Sequence, residues 1–371
     1  MTEVFMTTKE RHSAQKKSAQ KKRRQRAVRR RWTAIIAIAV GVVLLLCLYT
    51  NTVRNRTLDT TEAYSIGNED TATDFSNFAL QSLSAEGDDL VATDSEYGDD
   101  LISLSSDTEH ALLFNIDDSE PIYAHGIYDK VYPASLTKIM TAIVCFENSS
   151  MDVTVTMQEE DFELDEEAQE SELDVGDTLT MEDLMKLLLV YSANEAAMAI
   201  ARTVGGSVDA FVEMMNEKAQ ELGMTGTNFV NPTGLHDDNH YTTPYDIYLM
   251  LNAAYEIPEF SQYSSVDSIE VSVTGTEGDS TFTEESTDEF LTGIYSLPQN
   301  VTIMASKTGT TDEAGSCLSL IVQNDYGVNY CAVITGALDK DSLYGDMINL
   351  LSLVNTSDSD NTDSESVSST S

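Results

Sequence analysis

Positive charge is nearly missing from most of this chain. After residue 31 only nine lysines and arginines face 61 aspartates and glutamates. A surface of that sign repels polyphosphate, which excludes nucleic-acid binding by the main body. Proline is also scarce, at six in 371 residues, and 19 glycines show no period, so collagen-like and proline-rich material is excluded. Four cysteines, at 47, 145, 317 and 331, are too few for a disulfide scaffold and form no CxxC pair for zinc. No HExxH stretch and no internal repeat occur. Hydrophobic residues at 41% are nevertheless enough for a real core.

The charge that is present is segregated. Residues 1–31 hold 12 of the 21 lysines and arginines but only Glu3 and Glu10 among the acids. An uncharged run, 34–48, follows, with Trp32 and Tyr49 at its ends as interfacial aromatics. The 18 residues from Trp32 to Tyr49 approach the ~20 that span a bilayer. The preceding cations place the amino terminus in the cytoplasm; a nucleic-acid-binding arm is the alternative reading of the same block. No small-residue cleavage site follows the run, so an uncleaved signal anchor is expected. The expected organisation is a basic cytoplasmic tail (1–31), a transmembrane anchor (32–50), an acidic disordered linker (51–105), one domain (106–354) and a disordered Ser/Asp-rich tail (355–371). Linker and tail carry too little apolar surface to offset their ordering entropy. A single-pass protein with its domain outside the cell membrane follows.

Within 106–354 the pattern predicts a hairpin (Ala111–Asn115 and Ile122–His125), then helices over Ser135–Glu147, Met181–Ser192, Glu195–Thr203, Val208–Leu222 and Pro244–Tyr255. Strands return at Ser268–Val273, Ile303–Lys307, Cys317–Gln323 and Tyr330–Thr335, the last two joined by a turn at 324–327. Strands at both ends with helices between predict an α+β fold, an antiparallel sheet packed on a helical region.

Three short motifs carry chemistry. Ser135-Leu136-Thr137-Lys138 opens an apolar helix, where positions i and i+3 share a face and hydroxyl and amine can meet. Ser192-Ala193-Asn194 sets a hydroxyl beside an amide at a helix junction, and Lys307-Thr308-Gly309 ends a strand with a cation, a hydroxyl and a residue lacking a side chain. Each alone reads better as a cap, a junction or a turn. Their joint order is that of the Ser-x-x-Lys, Ser-x-Asn and Lys-Thr-Gly set of serine acyl-transfer enzymes.

With these motifs the domain resembles the low-molecular-mass penicillin-binding proteins, specifically the serine-type D-alanyl-D-alanine carboxypeptidases of peptidase family S11. The likeness extends to PASLTKIMTA (133–142), LLLVYSANEAA (187–197), NEKAQELGMTGTNFVNPTGL (216–235), HYTTPYDI (240–247) and SKTGTTDEAGSCL (306–318). It implies a penicillin-binding fold of sheet, packed helices and an all-helical lobe. It further implies that Ser135 is acylated, Lys138 is the base, Ser192 relays protons, Asn194 positions substrate, and Lys307 and Thr308 hold its terminal carboxylate, with Gly309 and Thr310 beside them. The implied substrates are peptidoglycan stem peptides ending in D-alanyl-D-alanine, with β-lactams as covalent inhibitors. Many relatives add a small β domain and a carboxy-terminal amphipathic anchor, whereas here the amino end is expected to anchor. The acidic segment Asp165–Gly176 reads as a linker and departs from the family pattern.

The chemical demands agree with those roles. A neutral Lys138 takes the Ser135 proton, backbone N–H groups of Ser135 and Thr310 stabilise the oxyanion, and water hydrolyses the acyl-enzyme. No metal or organic cofactor is required. His236 and His240 have a ligand-like spacing but sit in a Pro/Gly-rich loop. Buried free thiols are expected rather than a Cys317–Cys331 disulfide, because a hairpin centred at 325–326 sets 317 opposite about 334. The same residues would serve an endopeptidase, a transpeptidase or a β-lactamase, and a catalytically silent wall-binding protein could share the fold. Against a class A β-lactamase, Tyr248-Leu249-Met250-Leu251-Asn252 has tyrosine where its E-x-x-L-N glutamate would stand.

Overall fold

Leu112, Leu113 and Phe114 form a continuous apolar run, the signature of a strand buried on both faces, and they lie inside β1 (His110–Asn115). The computed structural model describes residues 96–355 apart from 99, 166–167 and 276–277. The expected tail 1–31, anchor 32–50, most of the linker and residues 356–371 fall outside the described residues. Among the described residues no helix is long and apolar enough to cross a membrane.

β1 pairs antiparallel with β2 (Glu120–His125) on one side and β9 (Asn329–Ala337) on the other. β8 (Gly315–Asn324) and β7 (Val301–Thr311) complete a five-stranded sheet of order β2-β1-β9-β8-β7. The β8–β9 turn forms where expected: Asn324 Oδ1 accepts from the N–H groups of Tyr326 and Val328, and Gly327 takes φ +83°. A second sheet, β3-β4-β5-β6, joins the short strands β3 (Thr154–Thr156) and β4 (Thr178–Thr180) to the hairpin β5 (Ser268–Gly275) and β6 (Gly278–Glu285).

The helices have readable boundaries. α1 (Thr137–Asn148) follows a 3₁₀ turn, Ala134–Leu136. α2 (Met181–Lys186) is capped by Thr180 and runs into a π-helical turn, Leu187–Tyr191. α3 (Asn194–Gly205), α4 (Val208–Glu221, capped by Ser207) and α5 (Pro244–Tyr255, capped by Thr243 with proline at its start) follow. α6 (Pro258–Ser264) and α7 (Lys340–Leu351, capped by Asp339) were not anticipated, nor were β3, β4 and β6.

Alternation along the large sheet sends its side chains to two clusters. Leu112, Phe114, Ala305, Ile321 and Val333 join the core formed with α1 to α6, while Leu113, Leu318, Leu320, Ile334 and Ala332 pack with Tyr344, Met347 and Leu350 of α7. The folded body starts before the expected boundary at 106. Tyr97 exchanges backbone hydrogen bonds with Ala124, and the Ser105 hydroxyl donates to Asp346 at 2.7 Å.

Candidate active site

Ser135 occupies the 3₁₀ turn and Lys138 the first turn of α1, so both project from one face. The residue before the serine is strained: Ala134 takes φ +46°, a region that a residue with a Cβ seldom adopts. Two glycines let neighbouring backbone press on this turn. A Cβ on Gly234, itself at φ +86°, would stand 1.8 Å from the Ala134 carbonyl oxygen, and one on Gly309 would stand 2.9 Å from the Ser135 nitrogen. The 231–235 loop and strand β7 therefore hold the Ser135 backbone from two sides.

Lys138 is fully buried, with Nζ 2.8 Å from Ser135 Oγ, 2.9 Å from Asn194 Oδ1 and 2.8 Å from the Thr233 carbonyl oxygen. The amide and carbonyl oxygens can only accept, so they take two N–H bonds. The hydroxyl can donate to what remains on a neutral amine, its lone pair. Burial pushes the Lys138 pKa well below the ordinary lysine value, and the Lys307 cation pushes it the same way. Glu195 opposes this weakly. Its buried carboxylate accepts from the Ser171 N–H at 2.9 Å and Ser171 hydroxyl at 2.5 Å, while Oε2 has no partner.

The second motif sits where the π-helical turn ends. Ser192 takes a left-handed conformation, φ +68°, which reverses the chain so that α3 can start at Asn194. Lys307, 1% exposed on β7, donates to Ser192 Oγ at 3.0 Å and to the Thr308 carbonyl at 2.9 Å. Burial lowers its pKa to about 7 and the Asp288 charge resists. The Asp288 charge thus favours a proton on Lys307, whose charge in turn disfavours one on Lys138. The Asn194 Nδ2 donates to the Gln169 carbonyl at 3.1 Å, so this amide is tied to both the lysine and the cleft wall.

A cleft of about 630 Å³ opens over these groups, lined by Ser135, Ser192, Asn194, Thr308, Gly309 and Thr310 among others. Lys138 and Lys307 lie behind its surface. Asp165, Asp312, Glu313 and Lys340 also line the cleft. From the acidic segment that its composition marks as a linker, Asp165, Ala168 and Gln169 form part of this wall. Gln169 O accepts from Asn194 N–H at 2.9 Å, its side-chain amide donates to Tyr191 O, and Ser171 is clamped by Glu195. Backbone carbonyls that act this way leave no mark in a sequence, and the same holds for Thr233. Gly234 belongs to the family-like 216–235 stretch, where nothing in the sequence marks its contact with Ala134.

The loop histidines have other partners. His240 Nδ1 accepts from the Val230 N–H and its Nε2 bonds Thr137 Oγ1 at 2.7 Å, while His236 faces Asp238 and Glu313 at 3.6 and 3.8 Å. Cys145, Cys317 and Cys331 are free, buried thiols, with Cys331 opposite Ile321 in the sheet.

A model of the D-alanyl-D-alanine carboxypeptidase family, peptidase family S11, matches residues 100–338. D-alanyl-D-alanine carboxypeptidase DacF of Bacillus subtilis is 30% identical over 248 residues, which are 65% of this chain and 60% of that protein. A D-alanyl-D-alanine endopeptidase of Pseudomonas aeruginosa is 34% identical over 211 residues, 56% of this chain and 64% of that protein. The chain thus spans just over six tenths of the length of these two curated relatives. Among solved structures, the Streptomyces K15 DD-transpeptidase superposes with a TM-score of 0.63 at 23% identity, covering 68% of this chain and 98% of that one. The likeness shows the same α+β penicillin-binding-like fold.

Proposed function

The chain belongs to the D-alanyl-D-alanine carboxypeptidase family, peptidase family S11, and we propose that it removes the terminal D-alanine from peptidoglycan stem peptides through an acyl-enzyme. The observation that carries this reading is the Lys138 amine, bonded at once to Ser135 Oγ, Asn194 Oδ1 and Thr233 O, with the Lys307 cation at Ser192 in the same cleft.

The substrate's terminal carboxylate meets Lys307, Thr308 and Thr310. Lys138 takes the Ser135 proton as Oγ bonds to the penultimate D-alanine carbonyl carbon, and the Ser135 and Thr310 N–H groups stabilise the oxyanion. The C–N bond then breaks, and the departing amine receives a proton by way of Ser192. Water, deprotonated by Lys138, attacks the ester carbonyl, and Ser135 leaves with the proton restored. The net change is hydrolysis of one peptide bond. A β-lactam would acylate Ser135 by the same first half and remain as a slowly hydrolysed ester.

The anchor reading completes the proposal. Residues 32–50 cross the cell membrane with 1–31 in the cytoplasm, so the domain 106–354 faces the wall. The named endopeptidase relative keeps a second substrate open, the cross-linked peptide. Incubation of the protein with diacylated lysyl-D-alanyl-D-alanine and with a cross-linked dimer peptide tests both. Release of D-alanine, with labelled penicillin mapping to Ser135 and both lost in Ser135→Ala, is expected; penicillin labelling that survives Ser135→Ala overturns the reading.

A further inference from the structure

Asp288, in the loop between β6 and β7, has no part in the chemistry above, yet it is 1% exposed beside the third motif. Its Oδ2 accepts from Ser306 Oγ at 2.5 Å, and its Oδ1 accepts from the Phe290 N–H at 2.9 Å and the Tyr344 hydroxyl at 3.3 Å. Three donors converge on the carboxylate, an arrangement that favours the anion. Burial works against them, raising its pKa.

Neighbours along a strand point to opposite faces. Ser306 turns toward Asp288 and α7, so Lys307, the next residue, turns toward the helical lobe and Ser192. The Asp288 charge therefore acts on Lys307 across the edge strand without touching it, and it is the charge that supports the Lys307 ammonium. The groups around the pair are few. On the lobe side, Lys138 of α1 is pushed toward its neutral form by the ammonium, with Glu195 of α3 acting on Lys138 in turn. Tyr344 of α7 and the adjoining Glu289, which is ion-paired to Lys340 at 2.5 Å, face the carboxylate.

Thr287, the preceding residue, adds two ties. Its N–H donates to the Val190 carbonyl at 3.1 Å, two residues before Ser192, and its hydroxyl shares a 2.5 Å bond with Thr308 Oγ1. Two consecutive residues thus connect the Ser192 turn to Ser306 and Thr308, the residues on either side of Lys307 in strand β7.

We propose that Thr287 and Asp288 are positioning residues for the substrate's free carboxylate. Thr287 keeps the Ser192 turn and the Thr308 hydroxyl in register, and Asp288 balances the Lys307 ammonium from behind the strand. The inference rests on the carboxypeptidase reading and adds that discrimination for a carboxylate is set outside the three motifs.

Two peptides test it, one ending in D-alanyl-D-alanine as the free acid and the other as its carboxy-terminal amide. Asp288→Asn keeps the shape and removes the charge. The preference for acid over amide in kcat/KM should fall about tenfold, chiefly through KM for the acid, with a much smaller loss on the amide. The alkaline limb of the acid profile should move about one unit lower, because an ammonium without its counter-charge loses its proton sooner. Thr287→Val, nearly isosteric, should reduce the same preference several-fold without moving that limb, and it decides the matter if Asp288→Asn does not fold. Equal losses on both peptides, or an unchanged preference in the variants, overturn the inference alone. A wild-type protein inert on both peptides overturns the carboxypeptidase reading and this inference with it.

Discussion

The two faces of the large sheet bury very different chemistry, beneath one helix on one side and six on the other. Toward α7 the sheet presents Leu113, Leu318, Leu320, Val322 and Ile334, packed on Met347, Leu350 and Leu351, all fully or nearly buried and apolar. Polar atoms gather at the margin of that layer, around Asp288 and Asp346. Toward the helical lobe, Lys138, Lys307, Asn194, Glu195, His240 and Ser319 are buried amid the same kind of hydrocarbon. Burying an ionisable group costs several kcal/mol unless it is paired or made neutral. The lobe face meets that demand by bonding each amine to fixed oxygens and by letting burial lower both lysine pKa values. Away from Asp288 and Asp346, the α7 face is hydrocarbon whose contribution to stability does not titrate, whereas the lobe face carries the groups proposed to react, and these do.

The largest effect expected from breaking the contrast is at Lys138. Lys138→Arg places a guanidinium that cannot deprotonate where a neutral amine is proposed, on the reactive face only. Acylation by penicillin and D-alanine release should both fall at least about a thousandfold, while the circular dichroism spectrum stays native. In the wild type, activity should climb as pH rises through the lowered Lys138 pKa. It should decline again as Lys307 loses its proton, near pH 7 in the free enzyme. An arginine variant that retains activity removes the base from Lys138.

On the opposite face, Leu350→Ala should leave a cavity beneath α7 at a position with no exposure. The expected loss is about 2–5 kcal/mol of unfolding free energy, the same at pH 5 and pH 8. The pH profile of catalysis should be unchanged in shape. A profile whose limbs move in Leu350→Ala would show that coupling across the sheet reaches beyond Asp288 into the apolar layer under α7.

How much of this contrast the sequence carries follows from what each feature needs. Ser135 and Lys138 are three residues apart on a helix, so their meeting is written locally, and Ser192-Ala193-Asn194 and Lys307-Thr308-Gly309 are compact enough to be recognised before the fold is known. The five strands of the large sheet and the helices α1 to α5 have the length and period that a pattern can show. α7 does not: Lys340–Leu351 has Gly345 in its middle and charged residues in its first turn. β3 and β4 are three residues each, and their Thr-x-Thr alternation is shorter than any period can establish. The Asp165–Gly176 wall was read as a linker because it is acidic, whereas it is held by the Gln169 carbonyl, an atom that every residue type possesses. Asp288 has no neighbour in sequence that signals its role; only the return of β7 and α7 brings Ser306 and Tyr344 to it.

The smallest effect expected sits at the edge of the reactive face, in the histidine behind α1. Because the Val230 N–H donates to His240 Nδ1, the ring's one proton lies on Nε2, which donates to Thr137 Oγ1 next to Lys138. Protonating Nδ1 would cost the Val230 bond and bring a charge into a site that is 2% exposed. Burial accordingly lowers the His240 pKa from 6.5 to about 4, with Asp237 raising it and His236 lowering it by smaller amounts. Between those two values the unfolded chain takes up a proton that the folded chain refuses, so stability falls as pH drops through this window. A 2.5-unit difference sets an upper bound of about 3 kcal/mol, fully lost only near pH 4. Urea unfolding of wild type and His240→Asn at pH 7 and pH 4.5 measures it, since asparagine can still accept from Val230 without titrating. The wild type should lose more stability than the variant over that interval, by about 1–2 kcal/mol. Equal losses in both proteins would assign the acid sensitivity of this face to its carboxylates and leave His240 only a packing role.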